Sequence, residues 1–227
     1  MSVPITDKVD WLGVVDWNVR NFHGYTTSRG TTYNSYLLRG EKVAVIDTVK
    51  APFAGLLVDA IESTVGCARL DYVISNHAEP DHGGALDCVL DACPQAKLVC
   101  SKRGVDVIGG YHDLSDREVQ VVGTGDNLDL GGRTLSFVEV PMVHWPDSMV
   151  SYCPEERILF SNDAFGQHYA SSYRFDDGGD LDVIMAEAKT YYANIVMLYG
   201  KQISQALQVV AGLDIAMICP SHGSIWR

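Results

Sequence analysis

The chain lacks three things: cysteine pairs, long apolar runs and an abundance of basic residues. Its six cysteines (Cys67, Cys88, Cys93, Cys100, Cys153 and Cys219) include no CxxC pair, which argues against a thiolate metal site. Cys100 and Cys219 end apolar, strand-like runs, and Cys88 and Cys93 sit in a helix-like segment. Buried thiols in a reducing, cytoplasmic compartment are therefore expected rather than disulfides. No apolar run approaches the ~20 residues of a membrane span. The start, Met1 to Asp7, has neither a basic segment nor an apolar one, so no secretory leader is expected. Seventeen Lys and Arg face 29 Asp and Glu, giving a formal net charge of −12. Such a surface argues against nucleic acid and anionic membrane as partners and could dock a basic protein.

There is no internal repeat, low-complexity tract or linker. With 227 residues, 47% of them hydrophobic, the chain can build one sizeable α/β domain or two small ones. One domain over 1–227 is the expectation.

The densest chemistry is in His77-Ala78-Glu79-Pro80-Asp81-His82. Four candidate metal ligands fall within six residues. The apolar run Tyr72, Val73, Ile74 precedes them and Gly83-Gly84 follows. That is a strand end opening into a loop, where a sheet can hold ligands rigidly. Two imidazoles with two carboxylates suit a borderline-to-hard first-row metal.

Elsewhere, Tyr33 to Leu38 and Lys42 to Thr48 read as a hairpin around Arg39-Gly40-Glu41. Pro52 to Val65 reads as a helix stopped by Gly66. Val73 to Ser75 is a strand, Gly84 to Cys93 a helix, Lys97 to Cys100 a strand and Arg103 to Tyr111 a helix. Four strands follow, at Glu118 to Val122, Arg133 to Val140, Ser148 to Tyr152 and Arg157 to Phe160. Leu181, Ile184, Met185, Ala188, Tyr191, Tyr192, Ile195 and Tyr199 fall at helical spacing. A second helix covers Lys201 to Ala211, and the last strand is Ile215 to Cys219. Two β-rich halves predict an α/β fold, with two mixed sheets packed together and helices outside.

Three more ligand types stand just past buried strands: His144, Asp163 and His222. Any one alone reads as an ordinary strand-end residue. Together with the loop they make seven candidates, more than the four of a structural zinc site. Seven fit two metals sharing a bridging carboxylate, with positions left open for a substrate.

Taken with Asp16-Trp17, Phe22-His23-Gly24, Thr31-Thr32-Tyr33-Asn34, the HxExDH loop, His144-Trp145-Pro146-Asp147-Ser148, Asn162-Asp163-Ala164-Phe165-Gly166 and Pro220-Ser221-His222-Gly223, the chain resembles the metallo-β-lactamase-like domain of flavodiiron proteins, which reduce dioxygen or nitric oxide. The likeness covers nearly the whole chain and implies an αββα sandwich. Zinc hydrolases of the wider superfamily usually have HxHxDH, with histidine where this chain has Glu79. A carboxylate there adds negative charge and a harder donor, which favours iron. The resemblance implies that His77, Glu79 and His144 bind one iron and Asp81, His82 and His222 the other, with Asp163 bridging. It also places His23 and His168 near the open face, as donors of a proton or hydrogen bond to dioxygen. Trp145 and Tyr192 are candidate pocket walls, and His112 reads as a surface residue.

Family members typically continue into a flavodoxin-like domain carrying FMN. These 227 residues contain no flavodoxin-type phosphate loop and no rubredoxin-like cysteine pairs, so no FMN is expected in this chain. In the family, a head-to-tail homodimer sets one subunit's flavin near the other's irons; a homodimer here loses that rationale. The leading expectation is an oxygen-binding or sensing diiron protein that serves a signalling partner, with at most externally supported reductase activity. The first alternative is an oxygen or nitric oxide reductase core fed by a separate flavodoxin or rubredoxin. The second is a zinc-dependent hydrolase, against which Glu79 argues.

Overall fold

Two β-sheets lie face to face in the computed structural model, which describes residues 2–227. The first sheet has seven strands in the order Val3–Pro4, Val9–Trp11, Tyr36–Arg39, Val43–Ile46, Tyr72–Ser75, Lys97–Ser101 and Val119–Val122. Its first four strands pair antiparallel; from Val43–Ile46 onward they run parallel. The second sheet orders Asn127–Asp129, Thr134–Glu139, Met149–Cys153, Ile158–Asn162 and Met217–Pro220. Only its last pair is parallel.

Strand alternation builds three cores from these sheets. Leu37, Val43, Val45, Val73 and Leu98 point away from the second sheet, onto the helices Ala54–Thr64 and Leu86–Ala92. Their neighbours Tyr36, Leu38, Ala44, Ile46, Ile74 and Val99 point inward and meet Leu135, Phe137, Ile158 and Phe160 of the second sheet. On the far side, Val150, Leu159 and Tyr152 pack against Tyr191, Ile195 and Val210. Each large aliphatic chain buried in this way contributes about 1.5–3 kcal/mol. The order of layers is helix, sheet, sheet, helix, as the sequence predicts.

Local differences have local causes. The expected strand Tyr33 to Leu38 is broken after Tyr33, because Asn34 donates its backbone N–H to Ser221 and the Ser35 hydroxyl bonds to Asp47 O. Tyr33 instead ends a short ladder between Thr31–Tyr33 and Val14–Asp16. The expected helix Pro52 to Val65 starts as a 3-10 turn over Ala51–Phe53, is α-helical over Ala54–Thr64 and is followed by Gly66, whose φ of +85° suits glycine. The expected helix Gly84 to Cys93 is confined to Leu86–Ala92. A separate helical turn, Pro80–Gly83, forms inside the ligand loop, with Pro80 at its first position. The long helical pattern is α-helical only over Leu181–Tyr191; a π turn, Tyr192–Val196, and a 3-10 turn, Met197–Tyr199, follow.

No helix is long and apolar enough to cross a membrane among the described residues. All six cysteines are free thiols, and five are buried; Cys88 is exposed. His112 lies away from the ligand loop, half-buried, with Nδ1 2.7 Å from Asp87 Oδ2.

Candidate metal centre

The seven candidate ligands converge at one edge of the sandwich. His77 follows the strand Tyr72–Ser75, and the turn Pro80–Gly83 folds Asp81 and His82 back beneath it. Asp163 follows Ile158–Asn162 directly. Asn162 turns the chain there at φ +56°, a left-handed conformation that asparagine tolerates, and its Oδ1 accepts the Asp163 N–H at 2.5 Å. His222 follows Met217–Pro220 and is fixed by Gly223 at φ +80°, where a Cβ would meet Gln167 Oε1 at 1.9 Å. Only glycine fits that position.

The donor atoms form two sets. In the first, His77 Nε2 lies 3.4 Å from Glu79 Oε2 and 3.5 Å from Asp163 Oδ2. His144 Nε2 lies 3.1 Å from each of the same two oxygens. In the second, His82 Nε2 lies 3.4 Å from Asp81 Oδ2 and 3.0 Å from Asp163 Oδ1. His222 Nε2 is 3.0 Å from Asp81 Oδ2 and 3.6 Å from Asp163 Oδ1. Asp163 thus gives one oxygen to each set.

These separations fit metal coordination. Donors about 2.1 Å from a metal, at angles near 90–110°, are roughly 3.0–3.4 Å apart. The satisfaction of polar atoms agrees. His77 Nε2, Glu79 Oε2, both Asp81 oxygens, His82 Nε2 and His222 Nε2 are buried without a hydrogen-bond partner, an expensive state unless a cation binds them. Imidazole and carboxylate donors suit iron, manganese or zinc rather than a thiophilic metal.

Outer contacts aim the ligands. His77 Nδ1 lies 3.2 Å from Asp147 Oδ2, which also accepts the Ala78 N–H at 2.7 Å. His222 Nδ1 donates to Thr32 O at 2.6 Å. Both partners can only accept, so both rings hold a proton on Nδ1, which leaves Nε2 as the nitrogen available to a cation. The Trp145 ring packs edge-on against His77 at 5.2 Å and is not among the residues lining the cleft at the centre.

Without a cation, the histidines and carboxylates neutralise one another. Burial pulls the His77 pKa down, but Asp147, Glu79 and Asp163 outweigh it and push it up to about 10. Burial opposes the charge on His144 and His82 too; Asp163 and Glu79 push His144 up to about 10, and Asp81 and Asp163 push His82 up to about 9. Burial favours a neutral Glu79, yet His144 and His77 hold it down to about 2. Asp163 is held well below the usual carboxylate range by His82 and His144, against its burial.

The sequence-predicted outer residues fare unequally. His23 reaches the centre, with Nε2 3.6 Å from Glu79 Oε1 and 3.7 Å from Asp81 Oδ2. With Glu79 and His144 it lines a cleft of about 250 Å³. His168 does not reach the open face: it is buried behind His23, with Nε2 3.1 Å from His23 Nδ1. Tyr192 is not at the centre either. It is 45% exposed and lines a separate apolar groove beneath the two C-terminal helices. Its neighbour Tyr191 is the residue that matters there, buried and donating its hydroxyl to Asp163 Oδ1 at 2.8 Å. Helical spacing alone placed both tyrosines in one pattern and could not choose between them. Asp147 stands inside a quoted motif, but its role on His77 depends on a contact 70 residues away.

The comparisons agree with this geometry. Residues 31–223 match the model of the ODP family of β-lactamase-like proteins. A nitric oxide reductase of Moorella thermoacetica is 46% identical over 99% of this chain and 57% of its own length. An anaerobic nitric oxide reductase flavorubredoxin of Salmonella arizonae is 43% identical over the whole chain and 48% of its length. Among solved structures, the flavodiiron protein of Giardia intestinalis superposes with a TM-score of 0.98 at 40% identity, covering all of this chain and 56% of that one. The rubredoxin oxygen:oxidoreductase of Desulfovibrio gigas gives 0.95 at 42%, covering all of this chain and 57% of that one. The chain therefore spans about half the length of the curated relatives it matches. With its fold, its two donor sets and these matches together, the chain belongs to the flavodiiron protein family and forms that family's metallo-β-lactamase-like domain.

Proposed function

We propose that this domain would hold two iron ions, with Asp163 offering one oxygen to each, and that it binds dioxygen or nitric oxide at this centre. The observation that carries the reading is the division of Asp163, one carboxylate oxygen to each donor set. His77, Glu79 and His144 complete the first set; Asp81, His82 and His222 complete the second. Glu79 supplies an oxygen donor that favours iron over zinc.

A ferrous pair supplies two electrons and open coordination positions. The protein supplies the rest. Asp147 and Thr32 O hold the His77 and His222 rings in their ligand tautomers. Tyr191 anchors the bridge. His23 lines the cleft as a hydrogen-bond partner for a bound diatomic, and Ile195 and Leu198 form an apolar rim around it. Two nitric oxide molecules need two electrons and two protons to give nitrous oxide and water, whereas dioxygen needs four of each to give water. Sustained reduction therefore draws on a redox partner such as a flavodoxin or rubredoxin. The relatives' names support this reductase reading and give no support to a sensing role.

Rapid mixing of the iron-loaded, reduced chain with dioxygen or nitric oxide tests the proposal. Spectral change within the mixing time, with turnover only when a reduced flavodoxin or rubredoxin is present, is expected. An unchanged spectrum with both gases would contradict it.

A further inference from the structure

Three imidazoles, His144, His168 and His222, pack around His23, and the identity of each hydrogen-bond partner decides where the protons sit. His77 and His222 bond through Nδ1 to acceptor-only groups, so Nε2 is the nitrogen left for a metal. His23 differs. Its Nδ1 faces another imidazole, His168 Nε2, at 3.1 Å, and His168 Nδ1 faces the Thr31 hydroxyl at 2.8 Å. A hydroxyl can donate, and this one has reason to. Its other acceptor, Thr32 O, is farther at 3.2 Å and already holds the His222 N–H at 2.6 Å.

We propose that the Thr31 hydroxyl, acting through His168, fixes His23 as the tautomer carrying its proton on Nε2, so that this N–H points into the cleft beside Glu79 and His144. Thr31 donates to His168 Nδ1. His168 then carries its proton on Nε2 and donates to His23 Nδ1, which leaves the His23 proton on Nε2. His168 is buried between the His23 and His222 rings, which fixes it as a link between Thr31 and His23. The reverse polarity would leave His23 Nε2 bare beside Asp81 and His222, with which it could hold a cation. His23 sits in a left-handed turn at φ +51°, followed by Gly24 at φ +79°. Thr31 and His168 are thus positioning residues: they decide that His23 is a donor to the centre and not an eighth ligand.

The inference rests on the metal-centre reading for its purpose but not for its test. Nitrogen-15 NMR of the imidazoles reads the tautomer in the metal-free chain and in the zinc-loaded chain, zinc being diamagnetic. In both, His23 is expected to show a protonated Nε2 and a bare Nδ1. In zinc-loaded Thr31→Val, that preference falls about tenfold, the ratio one hydrogen bond sustains, while Thr31→Ser keeps it. His168→Gln, whose amide N–H can replace the imidazole donor, keeps the His23 tautomer, and His168→Phe loses it. A wild-type His23 protonated on Nδ1 overturns the proposal, because that ring would be a ligand. So does a tautomer unchanged in both Thr31→Val and His168→Phe. If the chain fails to take up metal, the metal-free spectrum still decides the tautomer, and only the functional reading falls.

Discussion

Tyr191 donates its hydroxyl hydrogen to Asp163 Oδ1 at 2.8 Å from a fully buried ring, and so holds the carboxylate that both donor sets share. Burial, and the negative charge of Asp163 beside it, raise the Tyr191 pKa well above its ordinary value, so the phenol stays a neutral donor. The residue lies on the last turn of the helix Leu181–Tyr191, where the backbone passes into the π turn Tyr192–Val196.

Tyr191→Phe keeps the ring and removes the donor. Metal affinity should fall by about 10–100-fold, the usual cost of losing an outer partner of a ligand. Folding stability should change by only about 1 kcal/mol. Competition with a chelator, alongside thermal melting, checks both. Unchanged affinity would show that Asp163 needs no anchor.

Glu79→His should move the metal preference from iron toward zinc. The carboxylate faces His77 at 3.4 Å and His144 at 3.1 Å, so an imidazole there would replace an anionic oxygen donor with a neutral nitrogen. The expected outcome is a higher zinc-to-iron ratio after loading from equal concentrations, read by elemental analysis. An unaltered ratio would remove Glu79 as the determinant.

The metal-free chain should lose stability as pH rises. His77 and His144 are pushed up to about 10 and His82 to about 9, against about 6.5 for an unfolded histidine. Between those values the folded chain binds protons that the unfolded chain has released. The contribution is therefore full below about pH 6.5 and disappears as pH climbs through about 9–10. Metal displaces the same protons, so metal affinity should rise with pH over that window. A melting temperature lower at pH 9.5 than at pH 6.5 without metal, together with proton release on zinc titration, is the expected pair. A flat melting profile would contradict it.

Much of the centre was legible because its pattern is local. Four ligand types in six residues need no tertiary information, and His144, Asp163 and His222 each come soon after an apolar run of sequence. The two-sheet architecture followed from the same strands. What was illegible depends on contacts between distant segments or on a choice between neighbours on one helical face. Asp147 reaches His77 across the sandwich, and Thr31 reaches His168 over 137 residues. Tyr191 and Tyr192 stand seven and eight residues past Ile184, both within one helical apolar face, so the spacing could not show that Tyr191 is buried and Tyr192 exposed. Asn34 and Ser35 broke an expected strand because their partners, Ser221 and Asp47, lie in other loops.

The central claim is that Asp163 joins two irons in one centre. Mössbauer spectroscopy of the iron-loaded, oxidised chain, with iron quantified on the same sample, tests it most directly. Two high-spin ferric ions per chain, antiferromagnetically coupled into a diamagnetic pair, are expected, with loss of that pair in Asp163→Ala. One iron per chain, or two uncoupled ferric ions, would contradict it.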